Sequence, residues 1–148
     1  MRFFFYGTLL AGSANPVAAE IHAKLAPLGM ANARGLLHAI PDPLGWFTAL
    51  VEGDGTVRGM VYEAGESFGA ADLARMDAYE DFDPADPDSS LYLRHALPVR
   101  LDGGPAGDAQ VYVWNRPLPD ASRPIPGGDF RAWLAAEGAD QFSGLREA

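Results

Sequence analysis

The stretch Arg2-Phe3-Phe4-Phe5-Tyr6-Gly7-Thr8-Leu9, near the start of the chain, decides the fold. Its apolar run is too short for a helix, and three consecutive phenylalanines leave no polar face for solvent. We therefore predict a strand over residues 2–6 that is covered on both faces. The run ends at Gly7 in a tight turn that exposes backbone N–H groups, so the strand anchors that turn at a fixed position.

Length and composition indicate a folded domain. The chain has 148 residues, of which 48% are hydrophobic and 21% are charged. A chain of this length buries roughly two-thirds of the surface that its unfolded form exposes, so we predict one domain over residues 1–148. No apolar run reaches the roughly 18 residues of a membrane-spanning helix, and no export signal is evident. We expect a cytoplasmic protein without a membrane partner.

Charge and residue usage exclude several kinds of partner. The net charge is −9 and the chain has no cysteine, which excludes thiolate zinc sites and cysteine nucleophiles. Nucleic acids bind through clusters of Lys and Arg, and such clusters are missing, so we expect no nucleic-acid partner.

His22, His38 and His95 show no short ligand spacing, and the run at 81–90 (DFDPADPDSS) lacks the pattern of a calcium loop. We expect neither a metal nor a cofactor.

Turn and cap residues set the expected bounds of the helices. After a loop at Leu10–Ala14, Asn15 and Pro16 suit an N-cap and a first helical position. The apolar stripe that follows predicts a helix over residues 17–28, closed at Gly29. Two more helices are predicted, over residues 69–79 and 129–137.

The remaining segments are predicted as short strands and loops. Strands are expected over residues 33–40, 47–52, 57–63, 92–101 and 109–114. Gly53-Asp54-Gly55 predicts a hairpin turn between the second and third of these, whereas residues 41–45 and 81–90 are predicted as loops. Many short strands with only three helices favour an α+β fold with a largely antiparallel, curled sheet.

Glu80 is a carboxylate on an apolar helix face. Leu73 and Met76 define the apolar stripe of the second helix, and Glu80 lies four residues after Met76, on the same stripe. One interpretation is that the helix has ended by Tyr79 and Glu80 points into water. The other is that Glu80 lies in an apolar cleft suited to general acid-base catalysis. Asp77 either faces inward as well or hydrogen-bonds to nearby backbone.

Strand alternation raises two further candidates, Tyr92 and Arg94. These residues share a face with Ala96, so they are either exposed to solvent or line a polar pocket. Tyr112 lies on the last predicted strand, where core packing is at least as good an interpretation as a role in a site.

Six short motifs occur in order along the chain: Phe5-Tyr6-Gly7-Thr8-Leu9, Val57-Arg58-Gly59-Met60-Val61-Tyr62, Met76-Asp77-x-x-Glu80, Tyr92-x-Arg94, Val111-Tyr112-Val113 and Ile125-Pro126-x-Gly128-Asp129-Phe130. Together, in this order and spacing, they resemble the γ-glutamylcyclotransferase-like (AIG2-like) family. The wording YGTL at residues 6–9 is closest to the γ-glutamylamine cyclotransferase branch. Two positions depart from the family motif Leu-Asp-x-x-Glu-Gly, where Met76 replaces the leucine and Asp81 replaces the glycine.

The resemblance implies a fold, an activity and a set of site residues. The fold would be a small mixed barrel flanked by two to three helices, with the active site in a cavity at one end. The activity would be an acyl transfer that converts a γ-glutamyl amine or amide into 5-oxoproline and a free amine, with Glu80 as the catalytic acid-base and no metal or cofactor. A small-molecule γ-glutamyl substrate is the expected partner, and the protein would be a monomer or a weak homodimer. Substrate would be bound by the loop residues Tyr6, Gly7, Thr8 and Leu9, with Tyr92, Arg94 and Tyr112 as secondary candidates.

Several alternatives stay open at the level of sequence. The domain could keep its pocket as a non-catalytic small-molecule-binding module, or it could be a pathway-specific tailoring enzyme that uses the same glutamate. The N–H groups of residues 7–9 could hold either the α-carboxylate of the substrate or the oxyanion. Asp81 could face the cavity beside Glu80 or turn outward.

Overall fold

A computed structural model describes residues 1–9 and 16–143 of the chain. The predicted loop at Leu10–Ala14 and the predicted N-cap Asn15 lie outside these residues. The elements, in chain order, are β1 (Arg2–Phe5), α1 (Pro16–His22), β2 (Leu25–Asp42), β3 (Gly45–Ala64), α2 (Ala70–Tyr79), β4 (Tyr92–Leu101), β5 (Ala106–Trp114), β6 (Arg123–Pro124) and α3 (Phe130–Glu137), with a short 3-10 helix over Pro87–Ser89.

Five of the strands close into a barrel. Their order is β3-β1-β5-β4-β2, and β2 pairs in turn with β3. The β1–β5 pair is parallel and the other strand pairs are antiparallel, while the short β6 adds to β2 outside the ring. The predicted α+β fold with a mixed, mostly antiparallel barrel flanked by helices is confirmed.

Strand β1 is buried on both faces, as predicted. Phe4 and Tyr6 pack with residues of the other barrel strands in one hydrophobic cluster. Phe3 and Phe5 point the opposite way and pack in a second cluster that includes residues of α1 and α2. Complete burial of a phenylalanine side chain contributes about 1.5–3 kcal/mol, so β1 holds the barrel and the helices together.

Gly59 allows β1 to lie close against β3. A β-carbon at this position would overlap the carbonyl oxygen of Phe5 and lie 2.7 Å from Cζ of Phe4. Any larger residue would push β1 away from its partner strand, and with it the turn that follows β1.

The first helix is shorter than predicted. It ends at His22, and the strand β2 begins at Leu25. Leu28, which the helical stripe was expected to bury, is 39% exposed. Residues 25–34 pair with residues 56–64 of β3, and these backbone hydrogen bonds and the packing of the sheet outweigh the helical spacing of the apolar residues.

The predicted hairpin turn at Gly53-Asp54-Gly55 is wrong. β3 runs unbroken past these residues, and the chain reverses instead at Asp42–Gly45, inside the loop predicted over residues 41–45. Residues 52–55 bulge out opposite Gly35, where the pairing with β2 changes register. Glycine and aspartate indicate that the regular hydrogen bonding of the sheet is interrupted. A β-bulge and a hairpin turn share this composition, so the composition alone does not distinguish them.

The predicted bounds of α2 and α3 are confirmed to within one residue. Asp72 accepts a hydrogen bond from the N–H of Gly69 over 2.9 Å at the start of α2. Asp129 caps α3 by accepting from the N–H of Ala132 over 3.0 Å, a common way of satisfying the free N–H groups of the first turn.

Residues 81–90 form an ordered loop between α2 and β4. The N–H of Asp83 donates to Oγ of Ser90 over 2.8 Å, and Ser90 is buried. Nδ2 of Asn115 donates to the carbonyl oxygens of Pro87 and Ser90 over 3.0 and 2.9 Å. These bonds fix the path of the chain from the end of α2 to Tyr92.

Candidate functional site

A small cavity lies where β1 ends, between the barrel and the end of α2. It brings together all of the predicted site residues except Arg94, which lies outside its lining. The room for the centre of a water-sized sphere is about 20 Å³, enough for one ordered water. The lining residues are Phe4, Phe5, Tyr6, Gly7, Thr8, Leu9, Thr48, Glu80, Tyr92 and Tyr112.

Gly7 lies against the side chain of Thr48. A β-carbon on Gly7 would overlap Oγ1 of Thr48 and lie 3.4 Å from its Cβ. The glycine of the loop is therefore explained by packing between β1 and β3. The same close approach places the backbone of the loop at the wall of the cavity.

Glu80 is buried at the end of α2. Its exposed fraction is 7%, so the interpretation in which it points into water is wrong. The N–H of Asp81 donates to the carbonyl of Ala78 over 3.1 Å, and that of Phe82 donates to the carbonyl of Asp77 over 2.9 Å. This pair of bonds is the Schellman motif, and it stops the helix at Glu80 with the carboxylate in the cavity wall.

Asp81 occupies the position at which the family motif has glycine. Its φ is 52°, in the left-handed region that a Schellman motif requires and that glycine adopts most easily. Asp81 does not line the cavity; it borders a groove on the other side of α2 together with Phe82 and Arg94. It therefore turns outward and adds no second carboxylate to the cavity wall.

Two tyrosine hydroxyls tie the cavity wall to the barrel strands. The hydroxyl of Tyr6 donates to the carbonyl oxygen of Tyr112, on β5. The hydroxyl of Tyr92 donates to the carbonyl oxygen of Thr48, on β3. Both bonds are buried, and both hold the rings of these tyrosines in place at the cavity.

Tyr112 connects the cavity to a buried ion pair. Its hydroxyl donates to Oδ1 of Asp77 over 2.6 Å, and Nε of Arg94 donates to the same oxygen over 2.8 Å. Burial raises the pKa of Tyr112 well above its usual range. The charge of Asp77, the hydrogen bond to Asp77 and the charge of Glu80 raise this pKa further. The phenol therefore stays protonated at neutral pH.

Three residues of the site neighbourhood were missed or left open by the sequence. Thr48 is a polar residue within an apolar strand, a signal that could have singled it out. Asp77 faces inward, one of the two interpretations considered for it. Tyr79 is part of the same arrangement because its hydroxyl donates to Oγ1 of Thr8 over 3.1 Å; an aromatic residue at a helix end gives no distinct signal.

Metal-binding and membrane-spanning features were sought in residues 1–9 and 16–143. Those residues contain no group of three or more His, Asp and Glu side chains placed to hold a metal ion. None of the helices in the described part of the chain is long and apolar enough to cross a membrane.

Solved structures share this fold over most of the chain. The protein ytfP from Escherichia coli is 26% identical, with 88% of this chain and 96% of that one covered and a TM-score of 0.58. An AIG2-like protein from Mus musculus is 24% identical, with 80% of both chains covered and a TM-score of 0.58. A gamma-glutamyl cyclotransferase is 14% identical, with 100% of this chain and 92% of that one covered and a TM-score of 0.59.

The sequence itself matches a known family. A comparison with curated proteins finds no match. The pattern of the family described as gamma-glutamyl cyclotransferase, AIG2-like, matches residues 3–132, a range that contains every residue of the cavity wall. The chain therefore belongs to the gamma-glutamyl cyclotransferase, AIG2-like family.

Proposed function

We propose that the protein is a γ-glutamylcyclotransferase-type enzyme that converts a γ-glutamyl amine or amide into 5-oxoproline and a free amine. The observation that carries this proposal is the burial of Glu80 in a cavity that the loop Tyr6–Leu9 also lines, in a chain of this family.

The proposed reaction is an intramolecular aminolysis. The α-amine of the substrate attacks its own γ-carbonyl carbon, and a new C–N bond forms while the carbonyl becomes a tetrahedral oxyanion. The bond to the leaving amine then breaks and the carbonyl returns. Holding the substrate in the folded conformer supplies much of the acceleration, because well-oriented intramolecular attack is worth about 7–11 kcal/mol.

Glu80 is the proposed general acid-base. It accepts the proton that the α-ammonium must lose before attack, and it returns that proton to the nitrogen of the departing amine. The attacking nitrogen loses a second proton as the lactam forms, and the same carboxylate passes this proton to the free amine, which leaves as ammonium. Two protons leave the α-nitrogen and two reach the leaving nitrogen, so one carboxylate completes the cycle. Tyr112 cannot take the place of Glu80, because burial raises its pKa and it keeps its proton at neutral pH.

The loop after β1 is the proposed anion-binding wall. The backbone N–H groups of Gly7, Thr8 and Leu9 are suited to hold either the α-carboxylate of the substrate or the oxyanion. Gly7 lies close against Thr48, which fixes this backbone in advance of binding. Preformed donors of this kind stabilise developing charge without a cost of reorganisation.

An amine, rather than an amino acid or peptide, is the proposed leaving group. None of the described residues in the cavity wall is a lysine or arginine, so the wall offers no cation for a second carboxylate on the leaving group. The net charge of −9 also favours neutral or cationic leaving groups.

The test is release of 5-oxoproline from a panel of γ-glutamyl amines, γ-glutamyl amino acids and glutathione. We expect release from the amines, with kcat/KM at least tenfold above that for γ-glutamyl amino acids. Ligands that raise the melting temperature without any release of 5-oxoproline would favour a binding module instead. Release only from other amides or esters would favour a tailoring enzyme.

A further inference from the structure

The buried Arg94–Asp77 ion pair lies directly behind the cavity wall. The side chain of Asp77 is 6% exposed and that of Arg94 is 16% exposed. Neither residue lines the cavity, yet Tyr112 does, and Tyr112 is bonded to Asp77. We propose that this pair fixes the proton of the Tyr112 hydroxyl away from the cavity, so that the phenol oxygen accepts a hydrogen bond from the α-amino group of a γ-glutamyl substrate. This inference rests on the proposed function.

The geometry of the pair locks the Asp77 carboxylate. Nε of Arg94 donates to Oδ1 over 2.8 Å and Nη2 donates to Oδ2 over 3.3 Å. Nη1 of the same guanidinium donates to Oε1 of Gln110 over 2.7 Å. Because a planar guanidinium held at both ends cannot rotate freely, Oδ1 of Asp77 stays at the position where Tyr112 reaches it.

The direction of the Tyr112 hydrogen bond follows from the charge of its partner. An ionised carboxylate only accepts hydrogen bonds, and a phenol has one proton to donate. The bond of 2.6 Å to Asp77 uses that proton. Toward the cavity, the phenol oxygen can therefore act only as an acceptor.

An acceptor beside Glu80 selects for the amino end of the substrate. Lone pairs on Tyr112 attract an ammonium or amine and repel a carboxylate. The raised pKa of Tyr112, caused first by burial and then by Asp77 and Glu80, is consistent with a neutral oxygen close to Glu80. The α-amine would thus lie next to the proposed base, which leaves the loop Gly7–Leu9 for an anionic group.

A matched pair of ligands tests this orientation. γ-Glutamyl methylamide and N-methylglutaramic acid differ only in the α-amino group. Both are titrated calorimetrically into Glu80→Gln protein, which lacks the proposed base, with and without Tyr112→Phe. We expect Tyr112→Phe to weaken binding of the first ligand about tenfold or more and to change binding of the second less than twofold.

The result that would overturn the inference is an equal effect of Tyr112→Phe on both ligands, or no effect on either. Absence of measurable binding of γ-glutamyl methylamide while Tyr112 is intact would overturn it too. Failure of the proposed function is measured in a separate assay. It would appear as no release of 5-oxoproline by protein that retains Glu80, whatever the affinities for the two ligands are.

Variants of Arg94 test the role of the ion pair. Arg94→Met keeps the apolar stem but removes the guanidinium and its two hydrogen bonds to Asp77. Oδ1 of Asp77 is then no longer held at the position where it accepts the proton of Tyr112. The quantity compared is the ratio of the affinity for γ-glutamyl methylamide to the affinity for N-methylglutaramic acid. We expect Arg94→Met to reduce this ratio at least fivefold and Arg94→Lys to reduce it less. If Arg94→Met protein has the circular dichroism spectrum of the folded protein and keeps the wild-type ratio of the two affinities, the role of the ion pair is overturned. The control is Arg100→Met, at an exposed arginine of the same strand.

Discussion

The hydroxyl of Tyr79 donates a buried hydrogen bond to Oγ1 of Thr8 over 3.1 Å. Tyr79 is the last residue of α2 and Thr8 belongs to the loop after β1, so one bond joins elements that are 71 residues apart in the chain. Glu80 follows Tyr79 directly. The contact therefore fixes the spacing between the carboxylate and the loop backbone, the two groups on which the proposed chemistry depends.

We expect loss of this hydrogen bond to affect catalytic activity more than it affects the stability of the fold. Tyr79→Phe and Thr8→Val each delete one partner, and we expect each to lower the free energy of unfolding by about 1–2 kcal/mol. The two effects should not add, with a coupling energy of about 1 kcal/mol in a double-mutant cycle measured by urea unfolding. Each variant should also lower kcat more than it raises KM; fully additive effects would contradict a direct contact.

Gly7→Ala is expected to displace the loop. Its new methyl group would overlap Oγ1 of Thr48, and overpacking of this kind costs about 1–3 kcal/mol. Thr48→Ala removes the overlapping atom, so the double variant should recover part of the stability and part of the 5-oxoproline release that Gly7→Ala loses. The measurement is thermal unfolding together with kcat/KM. An unimpaired Gly7→Ala protein would show that the loop has room that the structure does not provide.

Asp81→Gly is expected to stabilise the protein. The left-handed backbone at φ 52° costs a residue with a β-carbon about 1 kcal/mol relative to glycine. Because Asp81 faces away from the cavity, kcat/KM should stay within twofold of wild type. Asp81→Val should lower the free energy of unfolding by about 1 kcal/mol or more, since β-branched residues adopt this conformation poorly. Chemical denaturation distinguishes the two variants, and a fall in stability for Asp81→Gly would contradict the account.

His22 is expected to make the fold sensitive to mild acid. Nε2 of His22 lies in hydrogen-bond contact with the carbonyl oxygen of Leu9, and burial lowers the pKa of His22 below 6.5. As pH falls through about 6.5, the unfolded chain takes up the proton first, so this contribution to stability is present at higher pH and is lost toward acid.

The measurement is the free energy of unfolding between pH 7.5 and 5.5. We expect it to decrease toward pH 5.5 in wild type, and His22→Gln should remove part of that decrease. His95→Gln, at an exposed histidine, should leave the decrease unchanged. An unaltered pH dependence in His22→Gln protein would exclude a contribution from this residue.

Local chemistry made β1 and the end of α2 predictable. Phe3 to Phe5 have no polar face, so a strand buried on both sides was the one arrangement that satisfied them. The position of Glu80 on the stripe of Leu73 and Met76 correctly raised the possibility of a buried carboxylate. These features depend on neighbours within about one helical turn, which a sequence displays directly.

Features set by distant partners could not be read in the same way. Leu25 and Leu28 have helical spacing, and only the pairing with β3 places them in a strand. The bulge at 52–55 has the composition of a turn and is recognised only from its counterpart Gly35. Arg94 was a secondary candidate for substrate binding, either exposed or in a polar pocket, and nothing in the sequence indicated that its guanidinium pairs with Asp77, a residue whose orientation depends on how α2 packs on the barrel.

The measurement that tests the central claim most directly is the rate of 5-oxoproline release by Glu80→Gln protein. This substitution keeps the size of the side chain and removes the proposed base, and Glu66→Gln, at an exposed glutamate, is the matched control. We expect Glu80→Gln to lower kcat by about 100-fold or more at an unchanged fold, and Glu66→Gln to leave it within twofold. Release of 5-oxoproline by Glu80→Gln protein at the wild-type rate would contradict the assignment of Glu80 as the acid-base of the site.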